Sequence, residues 1–216
     1  MRLRQGDDQR AAKELELALT LKEKALPPNH PDIAISMRSL ALVALEMEEG
    51  VQALVTIQKA LAIDRAAYGN GSPLLWVSLD DRGEVFAFLH RYREAEYDLR
   101  SSVDMATALV GAEHPWTAYP LTALGKTLLA QGRYLEALPV LEKAHRIRDR
   151  AEPSPDNIAE TRFALARARW ALNRDRTGAL TLATAAHDAY RKLPGQAKRA
   201  EEIDTWLANN VEQPLH

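Results

Sequence analysis

Small residues recur along the chain at intervals of 42 positions. Each of five copies has an alanine, then a residue four positions later that is large in most copies, then a second small residue seven positions after the first. Offsets of zero, four and seven fall on one stripe of an α-helix, so the pattern predicts five helices that each bury one stripe. The three columns are Ala11, Ala53, Ala95, Ala137 and Ala179; Leu15, Ile57, Leu99, Leu141 and Ala183; and Ala18, Ala60, Ser102, Ala144 and Ala186.

Four prolines predict a second set of helices, one ahead of each of the last four alanines. Each proline follows a histidine or a serine, and proline suits the first position of a helix because its missing N–H would have no partner there. The last two prolines are 40 residues apart instead of 42, so the pattern does not fix the register of the last of these helices. The prolines are Pro31, Pro73, Pro115 and Pro155.

Short segments join each of these helices to the next, and two helices joined so tightly must be antiparallel. In two of the segments Gly50 and Gly132 suit the left-handed residue that closes a helix. The sequence therefore predicts an all-α fold, an α-solenoid of antiparallel helical hairpins. The expected hairpins cover residues 31–67, 73–110, 115–150 and 155–193 of a repeat array that spans 1–195.

The two ends of this array differ. At 8–25 the pattern predicts the second helix of a hairpin with no first helix before it, and its leucines would leave apolar surface exposed. We expect from this that the chain is the C-terminal part of a longer protein or a truncated reading frame, and that it self-associates through this uncapped end. Residues 196–216 read as a capping helix and tail, with Ile203 and Trp206 on the apolar side of the helix.

The amino-acid composition excludes several classes of function. The 216 residues carry a formal charge of −2, with both signs mixed along the chain, so no overall field attracts nucleic acid or an anionic membrane. The chain has no cysteine, which excludes disulfides, thiolate metal sites and cysteine nucleophiles. No stretch reaches the length of a membrane span, and the first residues lack a secretory signal. We therefore expect a cytoplasmic protein that is not inserted in a membrane.

The first-helix columns resemble the tetratricopeptide repeat, which places a large residue, a leucine and a small residue three positions on, and a further large residue. Two positions depart from that pattern: Ala44 is small in a large column, and Arg82 stands where leucine is usual. The 42-residue period is similar to the longer variety found in kinesin light chains. The resemblance implies a right-handed superhelix whose concave wall is made by first helices. The matching positions are Met37, Leu40, Ala41 and Ala44; Leu79, Arg82, Gly83 and Phe86; Leu121, Leu124, Gly125 and Leu128; and Phe163, Ala166 and Trp170.

Positions beside the core ones on the first helices form the candidate groove, and their mixed polar and apolar character suits an extended peptide or a partner helix. A basic clamp for a chaperone carboxylate is not expected, because two of the middle positions are acidic. Trp76 and Trp116, near the starts of first helices, suit inter-repeat packing or a partner anchor. The candidate groove residues are Ile35, Arg38 and Leu42; Val77, Asp80 and Glu84; and Tyr119, Thr122 and Lys126.

No catalytic, cofactor or metal motif accompanies the repeat. His90-Arg91-Tyr92 lacks the aspartate of a kinase catalytic loop, and Gly125-Lys126-Thr127 lacks the first glycine of a phosphate loop. His145 and His187 are repeat equivalents, and no metal-ligand spacing supports a metal site. We expect a protein that is not an enzyme and has no cofactor. Eight arginines between 146 and 176, Arg148 among them, are interleaved with carboxylates and favour a solvated surface over a patch for an acidic ligand.

A narrower resemblance concerns the C-terminal third. Its general texture is similar to the tail of myxobacterial-type serine/threonine protein kinases that carry such repeats behind the kinase domain. It implies a non-catalytic interaction region of a larger bacterial signalling protein, with any kinase activity in an upstream domain. A stand-alone adaptor is the alternative, and a third hypothesis is an enzyme with an unfamiliar site in the groove. The resemblance rests on residues 163–172, 179–180, 189–190 and 203–208.

Overall fold

The computed structural model describes residues 2–151 and 154–211. In these two ranges the chain forms ten α-helices and two short 3₁₀ turns, and it contains no strand. Consecutive helices pack in pairs, so the predicted all-α stack of antiparallel hairpins is confirmed. The helices fall into two compact units, one up to Ala112 and one from Glu113.

The first unit contains five helices. Helix α1 packs on α2, which forms a hairpin with α3, and α4 forms a hairpin with α5. A 3₁₀ turn at Pro73–Leu75 leads into α4. The bounds are α1 Arg2–Ala25, α2 Pro31–Glu46, α3 Gly50–Tyr68, α4 Trp76–Phe88 and α5 Tyr92–Val110.

The second unit also contains five helices. Helices α6 and α7 form one hairpin, α8 and α9 form another, and α10 packs on α9. A 3₁₀ turn at Pro115–Thr117 leads into α6. The end of the expected tail, 212–216, lies outside the described residues. The bounds are α6 Ala118–Ala130, α7 Tyr134–Ala151, α8 Pro155–Ala171, α9 Arg176–Lys192 and α10 Ala197–Val211.

The three repeating columns of α3, α5, α7 and α9 form the core, as the sequence predicts. The alanines that open each copy are completely buried, and so are the large residues four positions later and the small residues seven positions later. The same columns are only half-buried in α1. On that helix Leu17 and Leu21 are exposed, which is the apolar surface expected there, and self-association through it stays a prediction.

The histidines before Pro31 and Pro115 cap the helical segments that follow. Nδ1 of His30 accepts a hydrogen bond from the backbone N–H of Asp32 at 3.2 Å, and Nδ1 of His114 accepts one from Trp116 at 3.1 Å. These bonds satisfy N–H groups that a helix start leaves without an intrahelical partner. The two histidines therefore have a structural role.

The small position of the first helices is explained by close approach to the second helices. A Cβ atom built on Gly83 would lie 2.6 Å from Cγ of Leu99, and one on Gly125 would overlap the side chain of Leu141. Leu99 and Leu141 belong to the large column of α5 and α7. Small and large columns therefore fit into each other across the hairpin.

The tight turns between paired helices use a left-handed residue at one repeat position. Gly132 has the expected positive φ of 71°, but in the first hairpin Glu48, with φ 65°, takes that conformation. The prediction that Gly50 closes α2 is wrong, because Gly50 is the first residue of α3. Glycine is required at this position, because a Cβ atom on residue 50 would lie 2.6 Å from the ring of Phe88. His90 and Asn173 hold the left-handed conformation in two further turns.

Within the described part of the chain, none of the helices is both long enough and apolar enough to cross a membrane.

Candidate partner-binding surfaces

The nine candidate groove residues differ widely in exposure. Ile35 is the most accessible, with 46% of its surface exposed. Asp80 and Thr122 are buried, at 9% and 1%. The remaining six are half-buried: Arg38, Leu42, Val77, Glu84, Tyr119 and Lys126.

In the first unit Arg38 lies at the centre of a charged cluster. Its guanidinium is 3.0 Å from a carboxylate oxygen of Asp64 on α3 and 3.2 Å from one of Asp81 on α4. Ser78 on α4 donates a hydrogen bond to the same oxygen of Asp64. Three helices are thus tied together by one cation, and two further acidic residues of α4, Asp80 and Glu84, make this part of the molecule acidic overall.

Asp81 has a strongly shifted ionisation. Burial raises the pKa of its carboxyl from 3.8 to about 7, and this effect exceeds the opposing attraction of Arg38. The carboxylates of Glu84 and Asp64 add to the rise, because a further negative charge beside them is unfavourable. Asp81 therefore titrates near neutral pH.

Arg82, the departure from the expected leucine, has a partner on the paired helix. Its Nε and Nη2 donate to the two carboxylate oxygens of Asp98 on α5, at 2.6 and 2.8 Å. Asp98 is completely buried. A bidentate ion pair with this geometry satisfies both charged groups where apolar packing is usual.

In the second unit Lys126 on α6 pairs with Glu160 on α8. Burial by itself would raise the pKa of Glu160, but the charge and hydrogen bond of Lys126 hold that pKa below its usual range. Arg199 and Arg148 also contribute positive charge near this carboxylate. Glu160 is therefore an anion held among several cations.

Arg148 is buried, so its inclusion in a solvated arginine surface is wrong. It is 1% exposed, and its guanidinium carbon lies 4.6 Å from the centre of the Tyr119 ring. The sequence contains a signal for this, because Arg148 lies eleven residues after Ala137, on the same helical stripe as the core residues Leu141 and Ala144. Other arginines of the set form surface ion pairs, such as Arg162 with Asp149 at 3.0 Å.

Beside Lys126 the second unit has a cavity of about 170 Å³. Three cationic and two anionic side chains line it, together with an aromatic ring and a tyrosine. This mixture can receive a polar or charged side chain through hydrogen bonds and ion pairs, with apolar contact on one side. The lining residues are Lys126, Glu160, Phe163, Ala164, Arg167, Tyr190, Arg199 and Glu202.

The two tryptophans near helix starts differ. Trp76 is buried and its carbonyl accepts a hydrogen bond from Ser102, so it packs between helices. Trp116 is about half exposed and lies edge-on to the ring of His114, with the centroids 5.2 Å apart. Only Trp116 of these two is placed to contact a partner.

His145 and His187, the repeat-equivalent histidines, each lie near aspartates. His145 is 3.4 Å from Asp149, and burial lowers the pKa of His145 in spite of that carboxylate. Nδ1 and Nε2 of His187 lie 3.1 and 3.0 Å from Asp188 and Asp204. Among the residues that the structure describes, no group of three or more histidine and acidic side chains is arranged to hold a metal ion.

Comparison with known proteins agrees with this architecture. A sequence model described as tetratricopeptide repeat matches residues 74–150 and 121–192, and a second model with the same description matches 3–32. No curated protein matches the chain.

Several solved structures share the fold. A Podosopora anserina putative kinesin light chain with nearly identical repeats is 23% identical, with a TM-score of 0.62 over 88% of this chain and 91% of its own. BtubC (BKLC) from P. vanneervenii is 18% identical, with a TM-score of 0.67 over 100% and 80% of the two chains. PlcR of Bacillus thuringiensis, in complex with the peptide PapR7 and DNA, is 15% identical, with a TM-score of 0.68 over 91% and 69%.

The repeat-model matches cover more than half of the chain, and the buried columns, tight turns and small first-helix positions explain why they do. Proteins built from such repeats are protein-interaction scaffolds that use the surfaces of stacked helices. The chain belongs to the tetratricopeptide repeat family.

Proposed function

We propose that the chain is a non-catalytic scaffold that binds a peptide or helix of a partner protein on the exposed surfaces of its first helices. The observation that carries this proposal is the charged cavity of the second unit, at the predicted groove residue Lys126. It opens among four helices, so a partner side chain entering it would touch several repeats at once. The structure of PlcR, a protein of similar fold, was solved in complex with the peptide PapR7, which supports a peptide ligand.

In the first unit the proposed surface is centred on Ile35 and Arg38 of α2. Ile35 offers an exposed apolar side chain, and Arg38 and Asp81 beside it are held by ion pairs. Rigid charged groups around an apolar contact reduce the ordering cost of binding. Asp80 and Thr122 are excluded from the proposed surface because they are buried.

A photo-cross-linking experiment tests the proposal. A photoreactive residue replaces Ile35 in one variant and Val51, which is exposed on the second helix α3, in a matched control. Cross-linked partners in a lysate of the source organism should be captured at position 35 and not at position 51. Equal capture at both positions would contradict the proposal for the first unit.

The cavity is tested by charge reversal. Arg167→Glu changes an exposed lining residue, and Arg174→Glu changes an exposed arginine in the turn after α8 that does not line the cavity. Partner binding should weaken about tenfold or more in the first variant and stay unchanged in the second, because a desolvated charge contact is worth more than a solvated one. Partner affinity that is unaffected by Arg167→Glu would exclude the cavity from the binding surface.

We also propose that this scaffold serves a cytoplasmic bacterial signalling protein such as a serine/threonine kinase. The similarity of residues 163–172 and 203–208 to kinase tails supports this. Genomic sequence upstream of Met1 tests it: an in-frame kinase domain is expected, and an in-frame stop codon would favour the stand-alone adaptor.

A further inference from the structure

One position near the end of the first helices is filled by a large apolar side chain in the second and third hairpins and is empty in the first. The backbone carbonyl at this position accepts the N–H of the residue five positions later, and it belongs to Ala44 in α2, Phe86 in α4, Leu128 in α6 and Arg169 in α8. Phe86 and Leu128 are buried. The first hairpin therefore lacks an apolar side chain that the next two hairpins supply.

In the second hairpin an aromatic ring fills this place, with two guanidinium groups against it. Arg91 lies 4.6 Å and Arg82 lies 5.5 Å from the centre of the Phe86 ring. These distances are those of cation–π contacts, so the position suits an aromatic ring beside a cation.

At Ala44 the structure has a cavity of about 260 Å³ instead. An engineered apolar cavity of about 150 Å³ in another protein binds benzene, so this one has room for an aromatic side chain. Helix α2 contributes apolar atoms of Leu40, Ala44 and Met47, while α1 and α3 supply a polar rim. The lining residues are Gln9, Ala12, Lys13, Glu16, Leu40, Ala44, Met47, Glu49, Gln52 and Thr56.

The charge of the rim also differs from the filled hairpins. Arg91 and Arg133 occupy the residue before the second helix in the second and third hairpins, and Glu49 occupies it in the first. With Glu16 and Lys13 the rim has two carboxylates and one cation. Both the ring and the neighbouring cation found in the second hairpin are thus absent here, and an acidic rim remains to attract a cation from outside.

We propose that this cavity binds an aromatic side chain of a partner polypeptide, with a lysine or arginine next to that residue placed against Glu49 and Glu16. The ring takes the place that Phe86 has in the second hairpin. The site is lined by residues of the second helices α1 and α3 and of the first helix α2. It is separate from the surface around Ile35 and Arg38. It rests on the proposed scaffold function only in that the partner is a polypeptide.

Binding of short synthetic peptides tests the proposal. Three blocked pentapeptides are titrated into the full chain: Gly-Lys-Phe-Lys-Gly, the same peptide with alanine in place of phenylalanine, and Gly-Glu-Phe-Glu-Gly. Backbone amide shifts in the NMR spectrum report the site. The first peptide should shift the amides of Ala12, Ala44 and Gln52, and the other two should bind about tenfold more weakly or not at all, as loss of a buried ring or of the charge contact requires.

Substitutions that fill the cavity or reverse its charge complete the test. Ala44→Phe places the ring of the second hairpin in the cavity and should weaken binding of the first peptide about tenfold or more. Ala62→Phe, at an exposed position of α3 outside the cavity, is the matched control and should leave binding unchanged. If Ala44→Phe fails to fold, Ala44→Leu makes the smaller change, to the residue of the third hairpin.

Glu49→Arg reverses the rim charge with the residue found at the equivalent position of two other hairpins. The side chain of Glu49 makes no capping hydrogen bond, so the change leaves the start of α3 intact. The variant should prefer the glutamate-flanked peptide. The proposal is overturned if no peptide shifts the cavity amides, or if binding is unaltered in both cavity-filling variants. Because Arg167→Glu leaves this cavity unchanged, failure here is distinguishable from failure of the proposed first-helix surface.

Discussion

The second and third hairpins, α4–α5 and α6–α7, share one helical frame but stabilise it differently. Arg82 and Asp98 form a buried bidentate ion pair in α4–α5. Leu124 and Val140 occupy the same two repeat positions in α6–α7. The backbone of the repeat therefore accepts either chemistry, provided that both partners change together.

The same contrast holds for the charged groups on the first helices. In the first unit Arg38 binds two carboxylates, and its side chain is 17% exposed. In the second unit Lys126 binds Glu160, and its side chain is 41% exposed. One cluster is enclosed and acidic overall, and the other is open and richer in cations, so the two should respond differently to mutation and to pH.

The largest expected effect follows from Asp98→Ala. This variant leaves the guanidinium of Arg82, whose side chain is only 17% exposed, without its carboxylate, and the free energy of unfolding should fall by about 3 kcal/mol. Urea denaturation of the wild-type and variant proteins measures the loss.

The double variant Arg82→Leu/Asp98→Val gives α4–α5 the residues of α6–α7 and is the matched control. The free energy of unfolding of this double variant should fall by less than about 1 kcal/mol, because no charge is left unpaired. A double variant as unstable as Asp98→Ala would show that the two hairpins are not interchangeable at these positions.

A smaller difference is expected between the two clusters. Arg38→Met leaves the buried carboxylate of Asp64 without its cation and should lower the free energy of unfolding by about 2 kcal/mol. Lys126→Met removes a more exposed cation and should lower the free energy of unfolding by less than about 1 kcal/mol. Equal losses in denaturant titrations would remove the distinction between an enclosed and an open cluster.

The smallest effect is a pH dependence of opposite sign in the two units. Asp81 has a folded-state pKa of about 7 against 3.8 when unfolded, so its contribution to stability is complete below about pH 4 and is lost as the pH rises through 7. Asp81→Asn should therefore flatten the decline of the melting temperature between pH 4 and 7. A wild-type and a variant curve that run parallel in this window would contradict the shifted pKa.

His145 in the second unit provides the contrast. Burial lowers its pKa below the usual 6.5, so its contribution is present above that pH and is lost as the pH falls. His145→Asn should reduce the loss of stability below pH 6.5 and leave the range above it unchanged. Hydrogen exchange of amides in each unit, measured across this pH range, assigns each effect to its unit.

Most of the fold could be predicted because packing repeats with the sequence. Ala53, Ile57 and their equivalents are buried at the expected positions, since a stack of hairpins places the same side chains in the same contact every 42 residues. Gly83 shows the limit of this kind of inference. The sequence identifies a small position, and the structure adds that Leu99 of the paired helix occupies the space of the missing Cβ.

The surface positions were harder to predict. The position of Thr122 beside a core residue predicts that it faces the groove, but α6 is covered on more than one side, and the hydroxyl of Thr122 lies 2.9 Å from that of Thr161 on α8. The charge of Arg148 favours exposure to solvent, whereas in the structure the ring of Tyr119 covers its guanidinium. Exposure depends on which neighbouring helices cover a residue, and a single-helix pattern does not contain that information.

The left-handed residues in the tight turns have a consequence for engineering. Glu48, His90 and Asn173 hold the left-handed conformation, which costs most residues with a side chain about 1–2 kcal/mol and asparagine less, and Gly132 shows that glycine fits the same place in the repeat. None of the three lines either of the two cavities described above. Glycine substitutions in these turns are therefore expected to raise the melting temperature without altering the surfaces proposed for recognition.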